Sequence, residues 1–210
     1  MQGYEIIPAV RLLGEAVDYE HFYALDVETA NSSYASICQI GIAYFANTVP
    51  QQVASMKVEC QSYMSHIDPE EPFAGSNIAV HGISASTVQG SPNWAEYVEY
   101  SKLYNALNNQ IVICHTSFDK TALKMACAKY GMPPINCRWM DSSQVYRKLW
   151  PEQFGRRGYG LANIASMLNI KYQAHDAMHD AGCAGAIVLA AMALSGRSLQ
   201  ELYPLCRIRN

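Results

Sequence analysis

Apolar and polar positions along the chain mark out a succession of strands and helices. Residues 21–25 (HFYAL) are apolar and aromatic, which predicts a buried strand ending at Asp26. Residues 36–45 alternate in part and predict a second strand, and the alternation over 53–63 predicts a third. The short polar connection 47–52, which carries Pro50, joins the last two as an antiparallel meander.

Residues 65–92 read as a loop-rich connection holding a short apolar piece at 77–83. Pro92 opens a helix on which Trp94, Tyr97, Val98, Ser101, Leu103, Tyr104 and Leu107 recur at helical spacing until Asn108-Asn109 closes it. The all-apolar run 111–114 (IVIC) is the pattern of a central strand buried on both faces. Asp119 starts another helix, with Leu123, Ala126, Cys127 and Tyr130 on one face, and Gly131 with Pro133-Pro134 stops it. A further strand falls near Trp139-Met140-Asp141, a short helix at 160–168 and a long alanine-rich helix at 176–194. Strands followed by alternating helices and strands predict an α/β fold, a mixed sheet with helices on both faces.

The chain has 210 residues and 23.3 kDa, and half of its residues are hydrophobic. That sustains one well-buried domain and excludes a disordered or collagenous chain. The expected division is a lead-in at 1–20, one domain at 21–195 and a tail at 196–210. A net charge of -3 excludes coating of nucleic acid through overall basicity, so any such contact is local or runs through metal ions. The seven cysteines form no C-x-x-C pair and read as reduced thiols, and the N-terminus lacks a secretory pattern. A cytoplasmic protein is expected. The longest apolar stretch, 183–194, is well short of the ~20 residues a bilayer demands.

Acidic residues supply the candidate chemistry. Asp26 and Glu28 stand at strand spacing and project from one face. Two such carboxylates repel each other unless solvent or a divalent cation relieves them. Asp119 sits just after the buried strand 111–114 at the mouth of a helix, where an acid also suits the helix dipole. His175 and Asp180 precede and enter the long C-terminal helix, an arrangement that serves equally a helix start or an imidazole beside a carboxylate.

Taken together, Asp26-x-Glu28, Ser117-Phe118-Asp119 and His175-x4-Asp180 occur in the order and setting of the DEDDh 3′–5′ exonucleases. The chain resembles this family over roughly residues 20 to 193, including Val80-His81-Gly82-Ile83, which is similar to its IHGI segment. The family includes the proofreading epsilon subunit of bacterial DNA polymerase III, RNase T and oligoribonuclease. The resemblance implies a ribonuclease H-like fold with a five-stranded sheet. It also implies that Asp26, Glu28, Asp119 and Asp180 bind two Mg²⁺ or Mn²⁺ ions, with Asp26 bridging them, and that His175 acts as general base for the attacking water. A histidine with an ordinary pKa near ~6.5 accepts a proton at neutral pH. His179, at the wrong spacing from Asp180, reads as a helix surface residue.

The resemblance places the 3′-terminal nucleoside beside Thr29 and Ala30, with Phe118 able to stack on a base or to anchor its helix. His115 stands where many relatives carry an asparagine that helps to hold substrate. Arg156 and Arg157, among glycines, suit either a phosphate backbone or a plain surface loop.

The expected activity is release of nucleoside 5′-monophosphates from nucleic-acid 3′ ends, with single-stranded DNA the favoured substrate and a DNA polymerase a partner in trans. An RNA-directed exoribonuclease and an inactive nucleic-acid-binding module of this fold are the alternatives. The presence of all five catalytic-type residues speaks against the inactive module.

Overall fold

The computed structural model describes residues 4–6, 21–46, 58–154 and 158–209. Its centre is a sheet of strands β1 (Tyr4–Ile6), β2 (His21–Thr29), β3 (Ile37–Ala46), β4 (Val58–His66), β5 (Ile111–Cys114) and β6 (Arg138–Asp141), in the order β1-β4-β3-β2-β5-β6. The meander is antiparallel, and β5 and β6 join it parallel to β2. The five expected strands are all present. A short sixth, β1, comes from the lead-in and pairs antiparallel with β4. The predicted start of the third strand at 53, the connection 47–52 and the arginines at 156–157 lie outside the described residues.

Eight helices accompany these strands among the described residues: α1 (Gly75–His81), α2 (Trp94–Ser101), α3 (Leu103–Leu107), α4 (Phe118–Lys129), α5 (Ser142–Leu149), α6 (Leu161–Met167), α7 (Ala177–Ser195) and α8 (Leu199–Cys206). The single helix expected over 94–107 is two. Lys102 takes a left-handed conformation (φ 56°) that ends α2 and begins α3. Asn93, rather than Pro92, opens α2 through a capping box with Glu96. The expected tail contains α8, opened by a second capping box between Ser198 and Glu201. Its Leu199, Leu202 and Cys206 are buried in the main core.

The period-two pattern of β2 divides the core. Phe22 and Ala24 pack with β3 residues Ala43 and Phe45 against α5, α6, α7 and α8. Leu25 and Val27 face the other way, with Ile40 and Ile42, onto α2, α3 and α4. From Ala181 to Met192 helix α7 is apolar on every side because it is enclosed on every side. Among the described residues it is the one helix long and apolar enough to cross a membrane, and here it lies against β2 and β3.

Two glycines allow that approach. Gly41 lies under the backbone of Ala177 and Met178, and Gly185 lies under the Phe45 ring, so a Cβ at either position would overlap its neighbour. Gly41 is the cross-strand partner of Asp26. The first turn of α7 is thereby laid directly over the acidic end of β2.

Candidate active site

The row Phe22–Ala24 on the α7 face of β2 continues into Asp26 and Glu28, so the strand ends by presenting carboxylates where it began with core. The register slips between Glu28 and Thr29, which closes the strand with a bulge. Strand β5 pairs with β2 only through Tyr23 and Ala24. Beyond that point the Val27 N–H faces the gap, and Asp119, in the first turn of α4, accepts it at 3.0 Å on Oδ1. This bond places the buried Asp119 carboxylate beside the segment that carries Asp26 and Glu28.

Asp180 enters from the first turn of α7, and its Oδ2 accepts the His175 backbone N–H at 2.8 Å. His175 itself has a left-handed backbone (φ 64°) and an exposed side chain. Potential ligand atoms of Glu28, His175 and Asp180 lie within 4.8 Å of one another. Gln39, the cross-strand partner of Glu28, accepts the Ala177 N–H at 2.9 Å on Oε1 and ties the start of α7 to β3.

Electrostatics bind these segments into one centre. Burial holds the Asp26 carboxyl well above its ordinary value, reinforced by the neighbouring charges of Asp119, Asp180, Glu28 and Asp176. Burial, then Asp180 and Asp176, raises Glu28 to about 7. Burial raises Asp119 to about 7 against the pull of the Val27 N–H, and raises Asp180 to about 6 against that of the His175 N–H. The neighbouring charges that raise Asp26 are all carboxylates. Such a cluster is stable in one of two ways: it keeps protons, or a hard cation replaces them.

Of the five residues expected to carry the chemistry, Glu28, His175 and Asp180 bring ligand atoms together, and Asp26 and Asp119 are coupled to them through their charges. The four expected at the substrate divide. Phe118 is 39% exposed and its ring centre lies 5.2 Å from that of Tyr34, which is 45% exposed. Thr29 is buried, and its carbonyl accepts Asn77 Nδ2 at 2.9 Å and His81 Nε2 at 3.1 Å. Ala30 is fully buried, with its N–H given to the Ser36 carbonyl and its own carbonyl taken by Ala74. Its backbone groups are engaged within the protein.

His115 is likewise turned inward. Its Nε2 donates to the Tyr159 carbonyl at 3.0 Å and its Nδ1 meets the Ser142 hydroxyl at 2.8 Å. Burial lowers its pKa, and the ring braces β5 against α5 and the loop before α6. An asparagine-to-histidine exchange read from a short motif does not reveal that both nitrogens have protein partners.

Several residues at the centre have roles that the sequence reading did not assign. Asp176 caps α7 through the His179 N–H, adds a fifth carboxylate and lies 3.2 Å from His179 Nδ1. His81 accepts the Ile83 N–H on Nδ1 at 3.0 Å, so its proton is on Nε2, facing Thr29. With Asn77 it clamps the bulge that follows Glu28. Gln39 had a signal, as a polar residue in an apolar strand. Tyr34, in a loop, had none.

The exonuclease family RNase_T matches residues 23–188, a span that contains every one of these carboxylates. The chain belongs to that exonuclease family. No curated protein sequence matches it. Solved structures share its ribonuclease H-like fold at low identity. Exonuclease X in complex with 5′-overhanging duplex DNA is 17% identical with a TM-score of 0.64, over 88% of this chain and 98% of that one. The nuclease domain of 3′hExo, a DEDDh family member bound to rAMP, is 14% identical with a TM-score of 0.64, over 91% and 98%. The zinc-bound E. coli ExoI–ssDNA complex is 15% identical with a TM-score of 0.71, over 89% of this chain and 43% of that one.

Proposed function

We propose that this exonuclease hydrolyses the terminal phosphodiester at the 3′ end of single-stranded DNA, using divalent cations held by Asp26, Glu28, Asp119 and Asp180. The observation that carries the reading is the buried carboxylate cluster itself, drawn from β2, α4 and α7, in which carboxylates are the charges facing Asp26. An all-oxygen donor set suits Mg²⁺ or Mn²⁺ better than zinc, although a zinc-bound ExoI is among the similar structures. Bound there, such cations would offset the repulsion among the carboxylates and the charge that builds on the phosphate during attack.

The protein's own residues account for the rest. His175, exposed at the mouth of the cluster, takes the proton of the attacking water. The water oxygen bonds to phosphorus, the bond from phosphorus to the 3′-oxygen breaks, and that oxygen gains a proton. A nucleoside 5′-monophosphate and a strand one nucleotide shorter result. The Asp180 carboxylate, by holding the His175 backbone N–H, fixes the loop that carries the imidazole. Tyr34 and Phe118 offer an exposed aromatic pair on which a terminal base stacks.

DNA is favoured because exonuclease X and ExoI are described with DNA strands, while rAMP in the 3′hExo structure makes RNA the reading to test against. The test uses matched 5′-labelled DNA and RNA oligomers, single- and double-stranded, with Mn²⁺, resolved to nucleotide length. A ladder shortening from the 3′ end of single-stranded DNA, abolished by chelator and by Asp26→Ala, is expected. Degradation that survives Asp26→Ala overturns the assignment, and a ladder on RNA alone overturns the choice of substrate.

A further inference from the structure

The cations of this acidic chain are not spread evenly. Two adjoining hollows, of about 330 and 300 Å³, share Cys137 and Trp139 and form one groove along α4, β6 and the segment after α8. Lys120 and Lys124 line one part and Arg207 and Arg209 the other, and no acidic residue lines either. Lys120 Nζ donates to the Arg209 carbonyl at 2.9 Å, and the Ile208 N–H donates to the Trp139 carbonyl at 3.0 Å, so the two walls are fastened to each other and to β6. Arg138 stands beside them, its guanidinium 5.7 Å from the Tyr203 ring centre. A net charge of -3 makes four lining cations without a lining acid a local feature of this face.

The groove also has a direction. Lys120 follows Asp119 in the first turn of α4, at the end of the parallel strands where the carboxylates gather. Lys124 lies one turn farther, ~6 Å along the helix. Arg138 and Cys137 lie at the start of β6, toward the opposite end of the sheet. Leu123, Ile135 and Trp139 are buried in its floor, and the half-buried Tyr203 ring lies under the Arg138 guanidinium. Cations on both walls over a buried apolar floor favour repeated negative charge without base reading.

We propose that this groove binds the phosphate backbone of the substrate strand on the 5′ side of the nucleotide being removed. The inference rests on the exonuclease reading of the acidic centre and adds the surface that carries the remainder of the strand. Repeating phosphates, rather than an acidic peptide, are chosen because the groove begins beside the first turn of α4, next to the carboxylate that would face the scissile end.

Two readings on the full chain test it. Binding of a 5′-labelled single-stranded 20-mer is measured by anisotropy in chelator, where no turnover occurs, as a function of salt. Turnover of a dinucleotide, too short to leave the centre, is measured with Mn²⁺. Lys124→Glu/Arg207→Glu/Arg209→Glu should weaken 20-mer binding on the order of tenfold at 0.1 M salt. The neutral set Lys124→Gln/Arg207→Gln/Arg209→Gln should lower the slope of log affinity against log salt by about 2, at ~0.7 per lost contact. Dinucleotide turnover should stay within about twofold for both sets, and Arg197→Glu, away from the groove, should change neither reading.

An unchanged affinity and slope in the neutral set overturns the proposal. So does an equal loss of dinucleotide turnover in that set, or displacement of the 20-mer by polyglutamate as readily as by DNA. Absence of dinucleotide turnover in the unaltered protein, with 20-mer binding still sensitive to the groove, overturns the exonuclease reading and leaves the groove standing.

Discussion

Asp26 and Glu28 owe their shared face to strand periodicity, which is why this half of the centre could be read from five residues of sequence. His115 shows the reverse. Its place in the motif is legible, but its two protein partners, Ser142 and Tyr159, come from 27 and 44 positions downstream. Positioning of Thr29 by His81 was equally hidden, since it depends on the tautomer that the Ile83 N–H selects. A variant series addresses that role. His81→Gln keeps a donor toward the Thr29 carbonyl and should retain most activity, whereas His81→Ala should raise the Mn²⁺ concentration needed for half-maximal turnover as Glu28 loosens. Equal Mn²⁺ dependence in both variants would argue that the ring has no positioning role. For His175→Ala, kcat should fall about 10²–10⁴-fold with Mn²⁺ affinity little changed, the mark of a lost base rather than a lost ligand. A steady-state profile at fixed Mn²⁺ reads this directly.

At the scale of elements, β5 and α7 were legible from their apolar runs, while the break between α2 and α3 was not. Helical spacing persists through Lys102, and only its left-handed backbone divides the two helices. Nor does a period pattern say which glycine a helix rests on. Gly41→Ala would set a methyl against the backbone of Ala177 and Met178, which cannot swing aside, so the first turn of α7 must lift. Overpacking of this kind destabilises by roughly 1–3 kcal/mol. Because Asp180 rides on that turn, Mn²⁺ should lose most of its stabilising effect in Gly41→Ala. The same substitution at Gly185, more than one turn of α7 beyond Asp180, meets the flexible side chain of Phe45 rather than backbone, and should lower the melting temperature while keeping the Mn²⁺ response. Thermal melts of both variants with and without Mn²⁺ separate the two outcomes.

For the whole molecule, fold class could be argued from the order of strands and helices, and the ordered C-terminal segment could not. A capping box and three buried side chains make 199–206 part of the core. Raised carboxyl pKa values also set how stability depends on pH. Glu28 and Asp119 hold protons up to about 7, and Asp180 to about 6, whereas the unfolded chain releases them near 4. Between about pH 4 and 7 the folded state therefore binds more protons than the unfolded state, and these groups' contribution, complete at the acid end, is lost as pH rises through that window. In chelator the melting temperature should fall from pH 5 to pH 7.5, and the increment produced by Mn²⁺ should grow over the same interval as cations take the place of protons. Melts in matched buffers would check it, and an Mn²⁺ increment that shrinks with rising pH would contradict the account.

Convergence of Asp26, Glu28, Asp119 and Asp180 on divalent cations is the claim from which the rest follows, and calorimetric titration of Mn²⁺ into the metal-free protein at pH 7.5 tests it most directly. The account predicts saturable binding that releases protons and is abolished or greatly weakened in Asp26→Asn. Heats no larger than dilution, or the same isotherm in Asp26→Asn, would contradict it.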